Sequence, residues 1–177
     1  MDEYVAGGSE ALVVRMIASA TAFRSDANFL SAQVAAASNA SALLNLIAFE
    51  ILLKALLAAR GIPVPFTHDY AVIFSTLPID VRDRVATLAD ERDPMLRAGS
   101  RIAELLPEFA SNFTSLRYPY EAYVACSDDA YESASVGWVA AGAPEADAVH
   151  RYYPGELFAI SDGLLQVARD TPPKSTD

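Results

Sequence analysis

Residues 43–57 read LLNLIAFEILLKALL, and this stretch decides the fold class. At about 100° per residue, its apolar side chains point in every direction around a helix. A helix that is apolar all round is buried on all sides, so this one forms either the centre of the fold or part of a subunit interface. Gly61 follows as a stop signal.

Helix signals also flank the central stretch. Residues 9–37 are rich in alanine with spaced apolar side chains, which favours one long helix or two consecutive ones. Asn39 or Ser41 can cap the central helix. Two prolines make residues 62–66 a loop. Four further helices are predicted. The first covers residues 68–77 with Thr67 as its cap, and the second covers 80–88 with Asp80 as its cap. The third covers 100–113, where Pro107 is an interruption, and the last covers 155–168 with Pro154 in its first turn.

The length of 177 residues suits one domain with one hydrophobic core. We therefore predict an all-α fold, an up-and-down bundle of five or six helices, over residues 1–170. Residues 127–150 show no sustained period, which predicts an irregular excursion with a short hairpin or helical turns as alternatives. The tail 171–177 is predicted to be disordered.

Charge and cysteine content narrow the functional classes. Lys and Arg total 13 against 23 Asp and Glu, which gives a net charge of −10. Such a chain repels polyanions on average, so autonomous RNA binding is disfavoured. The single cysteine, Cys126, excludes an internal disulfide or a CxxC site and indicates a reducing compartment. A lone cysteine is typically a small buried hydrophobe.

The expected location is the cytoplasm, without membrane contact. The acidic residues Asp2 and Glu3 follow Met1, where a signal peptide has positive charge, and no apolar export segment follows. The 18-residue apolar stretch 42–59 contains Asn45, Glu50 and Lys54, which are costly to insert into lipid. That stretch therefore predicts a core helix.

Glu50 and Lys54 form the first pair of candidate functional residues. They stand four apart with the acid first, the favourable order for a helix pair, yet apolar residues surround them. A carboxylate in such surroundings needs a cation or hydrogen-bond donors. The pair is either a structural ion pair at a domain or subunit contact or part of a functional site.

The densest group of chemically useful residues is NFTSLRYPYE at 112–121. Arg117 supplies five fixed donors, the rings of Tyr118, Tyr120 and Tyr123 can flank it, and Glu121 can pair with it across a helical turn. The alternative interpretation is an aromatic and arginine corner that joins two helices.

The histidine content disfavours metal chemistry, and no cofactor motif is present. His68 and His150 are the two histidines, so a three-ligand zinc site would need carboxylates that are distant in sequence. The sequence also lacks G-x-S-x-G, Walker-type and G-x-G-x-x-G patterns. We therefore expect no metal and no cofactor.

Two segments together resemble a HEPN domain, a helical domain of prokaryotic toxin, antitoxin and phage-defence proteins and a partner of minimal nucleotidyltransferases. The first is AFEILLKALL at 48–57, followed by Gly61, Pro65, THDY at 67–70 and LP at 77–78. The second is LRYPYE at 116–121. The resemblance covers about residues 10–124 and the last helix. It implies a homodimer, with binding residues Glu50, Lys54, His68, Arg117, Tyr118 and Tyr120.

The resemblance also bears on catalysis. In nucleolytic HEPN proteins, an arginine followed four to six residues later by histidine forms a metal-independent ribonuclease site across a dimer. Arg117 matches the arginine, but Ala122, Tyr123 and Val124 stand where the histidine would fall. Without that imidazole the usual proton shuttle is missing, and Glu121 is a poor replacement.

Three functions follow from this departure. We expect a non-catalytic or degenerate binding and regulatory module in a stress or defence system. The alternatives are an endoribonuclease with a diverged site at the dimer interface, for which Arg117 and Glu121 are the catalytic candidates, and a nucleotide-binding partner of a minimal nucleotidyltransferase. We further expect Glu50 to hold the Arg117 guanidinium in one concavity lined by His68 or Tyr120, and L46E to dissociate or unfold the dimer.

Overall fold

The computed structural model describes residues 10–33, 39–118, 120–121, 124, 126–142, 144, 148 and 151–170. These residues form seven α helices and no strand, which confirms the all-α bundle with one or two helices more than predicted. The helices are α1 (Glu10–Gln33), α2 (Asn39–Ala59), α3 (Tyr70–Ser75), α4 (Ile79–Arg92), α5 (Ile102–Ser115), α6 (Asp128–Ala140) and α7 (Pro154–Asp170).

Helix α2 lies at the centre of the bundle, as its all-round apolarity predicts. Of its 21 residues 14 are buried, and Phe49, Leu52 and Leu53 are fully enclosed. Among the described residues, this is the one helix long and apolar enough to cross a membrane, and its burial is that of a core helix. Leu46, expected at a dimer interface, is fully buried within the chain itself and offers no surface to a partner.

Helix α1 is one continuous helix that packs along α2. Ala20 and Ala27 are fully buried, so their small side chains face the neighbouring helix. Asn39 or Ser41 was expected as the cap of α2, but Asn39 is the first residue of the helix and Ser41 lies within it. The Ser41 hydroxyl donates to the carbonyl oxygen of Ala27 at 2.9 Å. This bond ties the start of α2 to the last turns of α1.

Helix α7 closes the bundle against α2 and α4. Gly163 permits a close crossing, since a Cβ at this position would lie 2.9 Å from the carbonyl oxygen of Val85. Asp162, the preceding residue, pairs with Arg24 of α1 at 2.6 Å and with Arg92 of α4 at 3.0 Å. One carboxylate of α7 therefore joins two other helices.

The segment between α2 and α3 differs in detail from the sequence prediction. Gly61 ends α2 with a φ of 67°, and the amide of Ile62 donates back to the carbonyl of Leu57 at 2.9 Å, a Schellman termination. The cap of α3 is Asp69, whose carboxylate accepts from an amide in the first turn, and not Thr67. His68 consequently precedes the helix.

Other helix boundaries also differ from the prediction. Helix α4 starts directly after Pro78, so Asp80 lies in its first turn, where a negative charge complements the helix dipole. Helix α5 runs through Pro107 to Ser115. Helix α7 begins at Pro154, as predicted.

Residues 127–150 were predicted to be irregular, and the structure instead forms α6 over most of that range. Ser127 caps the helix by accepting from the amide of Ala130 at 3.3 Å. The α6 side chains whose burial the structure describes, at positions 129, 130, 133 and 136–140, are exposed. The tail 171–177 lies outside the described residues.

Candidate functional site

The site begins with a carboxylate held inside the bundle. Glu50 lies in the middle of α2 with an 11% exposed side chain, and Lys54 lies one turn later with 18%. The Lys54 ammonium donates to Oε1 of Glu50 at 2.7 Å. Glu50 is therefore not a lone buried charge, which would be costly, because an ammonium on the same helix compensates it.

His68 contributes the second contact to this carboxylate. Its Nδ1 lies 2.9 Å from Oε2 and 3.1 Å from Oε1 of Glu50. The His68 side chain is 59% exposed, so the ring is held at one edge and open to solvent elsewhere. A carboxylate on Nδ1 favours the tautomer that carries the proton there, which makes Nε2 a hydrogen-bond acceptor when the ring is neutral.

Phe113 connects His68 to Arg117. The rings of His68 and Phe113 have centroids 4.9 Å apart, and the Arg117 guanidinium lies 3.9 Å from the centroid of the Phe113 ring. Arg117 also donates its Nε to the carbonyl oxygen of Phe113 at 3.1 Å. One buried aromatic side chain at the end of α5 thus positions both an imidazole and a guanidinium.

Tyr70, in the first turn of α3, lies next to the array formed by Glu50, Lys54, His68, Phe113 and Arg117. Its hydroxyl donates to the carbonyl oxygen of Leu46 at 3.2 Å, and its ring contacts those of Phe49 and Phe113. Burial raises the pKa of Tyr70 far above its usual range, the Glu50 charge raises it further, and the Arg117 charge opposes them. Glu50 and Arg117 therefore act on the same buried phenol.

The structure brings four of the predicted residues into one array and corrects how they are paired. Glu50 contacts Lys54 and His68, and neither Glu50 nor Glu121 lies within ion-pair distance of Arg117. The reason is that Arg117 folds back onto the preceding turn of α5, where Phe113 offers both a ring and a carbonyl oxygen. The expected direct hold of Glu50 on Arg117 is thus replaced by contacts through His68 and Phe113.

The tyrosines that follow Arg117 form an exposed aromatic rim. The rings of Tyr118 and Tyr120 meet edge to face with centroids 6.2 Å apart, and both side chains are exposed. Phe66, two residues before His68, is also fully exposed. Ala122 and Tyr123 lie outside the described residues. Rings at the surface beside cationic groups can stack on the planar part of a ligand.

Phe113 lies in the predicted stretch 112–121 but was not predicted as a site residue. A signal was available, since Phe113 and Arg117 stand four apart and would share one face if the helix continued. Cys126 was expected to be buried, and it is exposed. In the described ranges, no three His, Cys, Asp or Glu side chains are placed to hold a metal ion, and His150 lies outside those ranges.

The structure is that of an all-α protein with a site at its surface. In this site the Glu50 carboxylate contacts the Lys54 ammonium and the His68 imidazole. The Arg117 guanidinium lies next to them, on Phe113. No protein-family model, curated protein or solved structure matches this chain. The contacts of the site itself therefore carry the functional argument.

Proposed function

We propose that this protein is a HEPN-like binding and regulatory module of a cytoplasmic stress or defence system, and that the array around Arg117 binds a phosphate-bearing ligand without cleaving it. From the resemblance to HEPN domains, we also propose that the protein forms a homodimer and pairs with a minimal nucleotidyltransferase. The rest of the proposal depends on charges and contacts at the site.

The observation that carries the proposal is the fixed, uncompensated guanidinium of Arg117. Its Nε–H donates to the Phe113 carbonyl oxygen at 3.1 Å and its Cζ lies 3.9 Å from the centroid of the Phe113 ring, so two contacts to one residue hold the side chain. In the described part of the chain, no carboxylate lies within ion-pair distance of it. A guanidinium presented in this way matches the geometry of a phosphate, which it binds through paired hydrogen bonds.

The neighbouring charges favour a short anionic ligand over a long one. Glu50 pairs with Lys54 at 2.7 Å, which leaves the Arg117 guanidinium to attract an anion. The whole chain has a net charge of −10 and repels extended polyanions. Local attraction with global repulsion suits a nucleotide or an oligonucleotide of a few residues.

The exposed rings make a nucleotide a better fit than inorganic phosphate. Tyr118 and Tyr120 follow Arg117 directly, and their side chains are exposed. Stacking of a base on an aromatic ring contributes about 1–3 kcal/mol per base and tolerates any base. A ligand with both a phosphate and a base would use both parts of the site.

Binding of a fluorescent RNA tetranucleotide, measured by anisotropy at low salt, tests the proposal. R117A should weaken binding by about tenfold or more, because it removes a charge-assisted contact to phosphate. R84A is the matched control, since Arg84 is exposed on α4, and it should change the affinity by less than about twofold. R117K should recover part of the loss. Equal binding by the wild-type protein and R117A, with both folded, would disprove the proposal.

A second candidate function, metal-independent RNA cleavage, is favoured by the contact between Glu50 and His68. A carboxylate that holds Nδ1 leaves Nε2 to accept a proton, as a general base requires. His68 Nε2 could take the proton of a ribose 2′-hydroxyl, whose oxygen attacks phosphorus, while the phosphate charge is stabilised by Arg117. The products would be a 2′,3′-cyclic phosphate and a 5′-hydroxyl, with the proton delivered to the leaving oxygen.

Incubation of a fluorophore–quencher RNA with the protein in EDTA separates the two candidates. Cleavage that falls by about a hundredfold in both H68A and R117A would establish the second candidate. Binding without cleavage would establish the first. Equal cleavage by H68A and the wild-type protein would assign the activity to a contaminant and remove the second candidate.

A further inference from the structure

A groove separate from the Arg117 array lies between α3, α4 and the start of α5. It encloses about 380 Å³ and is open to solvent along one side. The Arg117 array uses the loop before α3 and the end of α5, whereas the groove uses later residues of α3 and the first turns of α5. Its apolar wall is formed by Ala71, Phe74, Ile79, Ile102, Ala103 and Leu106.

Arg82 is the polar feature of this groove that needs an explanation. Its Nε is buried, and no hydrogen-bond acceptor lies near it in the described part of the chain. Its guanidinium makes no ion pair there either, and Asp83, which also lines the groove, is not within ion-pair distance of it. Because the protein encloses that nitrogen, a ligand in the groove would contact the rest of the guanidinium, on a side chain that is partly exposed and lines the groove.

We propose that this groove binds a small organic monocarboxylate, with the ligand's carboxylate on Arg82 and its apolar body along Phe74 and Leu106. The guanidinium fork matches a carboxylate, and the apolar wall matches a hydrocarbon or aromatic body. A groove of this volume holds a ligand of about ten to fifteen non-hydrogen atoms. The inference is independent of the function proposed for the Arg117 array, since the two sites share no residue.

Asp83 lowers the affinity of the groove for any anion. It lies on the exposed side of α4 at the edge of the groove, where its negative charge opposes an anionic ligand. Because Asp83 is exposed, solvent and salt screen this repulsion.

Calorimetric titration with 4-phenylbutyrate, compared with 4-phenylbutanol and 4-phenylbutylamine, tests the assignment on the intact protein. The acid should bind saturably and at least about tenfold more tightly than the alcohol or the amine, since the charge on Arg82 distinguishes them. Equal affinity for the acid and the alcohol, or no saturable binding of the acid, would overturn the proposal. These comparisons use the wild-type protein and do not depend on the folding of a variant.

Substitutions at three positions of α4 then assign the contacts. R82M should weaken binding of 4-phenylbutyrate by about tenfold, whereas R84M, at an exposed position of the same helix, should leave it within about twofold. D83N should tighten binding by about two- to threefold at low salt, because it removes a repelling charge. Unchanged binding in folded R82M, or weaker binding in D83N, would refute the assignment.

Discussion

Replacing Glu50 with glutamine tests how much the interior carboxylate contributes to stability. Glutamine keeps the size of the side chain but removes the charge that Lys54 and His68 contact at 2.7 and 2.9 Å. A hydrogen bond to a charged group is stronger than a neutral one by about 1 kcal/mol. The Lys54 ammonium, 18% exposed, would also lose its counter-charge, which adds about 1–2 kcal/mol because its stem can still extend towards water.

The contact with His68 adds little to the loss of stability in E50Q, because the His68 side chain is 59% exposed and solvent screens the contact. We therefore expect E50Q to lower the free energy of unfolding by about 2–3 kcal/mol, which corresponds to a fall in Tm of about 5–10 °C for a chain of this length. Urea unfolding followed by circular dichroism at 222 nm measures the change.

E104Q provides the matched control for this experiment. Glu104 pairs with Arg101 at 3.3 Å, but its side chain is 71% exposed. The loss of such a surface pair should change stability by less than about 0.5 kcal/mol. If E50Q and E104Q unfold at the same urea concentration, the interior carboxylate does not stabilise the fold through its charge, and the reasoning fails.

Three further predictions concern packing, alkaline pH and assembly. G163A should destabilise the protein by about 1–3 kcal/mol, because the added Cβ would press on the Val85 carbonyl. G137A has open space around the added Cβ and should stabilise α6 by about 0.5–1 kcal/mol. Thermal melts of the two variants and the wild-type protein measure both changes. Burial raises the pKa of Tyr70 in the folded state, so its contribution to stability is complete below pH 10 and is lost as the pH rises further. Above pH 10, the free energy of unfolding from urea melts should therefore fall with pH more steeply in the wild-type protein than in Y70F, by up to about 1.4 kcal/mol per pH unit. Light scattering at micromolar concentration should give twice the chain mass of 19.0 kDa, and a monomer would contradict the proposed homodimer.

The central element of the fold could be predicted from sequence, whereas helix α6 could not. Residues 43–57 are apolar on every side, and burial at the centre is the arrangement that satisfies them. Residues 128–140 have polar and apolar residues without a sustained period, so the main sequence signal of a helix is missing there. Ser127 caps α6, but a single serine is a weak signal in a sequence.

The same distinction applies to the candidate site. The contacts of Glu50 with Lys54 and of Arg117 with Phe113 join residues four apart, so helical spacing predicts them. The contact of His68 with Glu50 depends on where a loop of the chain returns, which spacing does not determine. The groove at Arg82 depends on three helices together, and no local pattern marks it.

The connection between α2 and α3 determines where the chain can change length during evolution. It is fixed at one end by Gly61 and at the other by Asp69, and His68 must meet Glu50 in between. One inserted residue lengthens an extended segment by about 3.3 Å, more than a hydrogen bond can stretch. Insertions between α2 and α3 would therefore separate the imidazole from the carboxylate. Related chains that use this contact should keep the length of the connection.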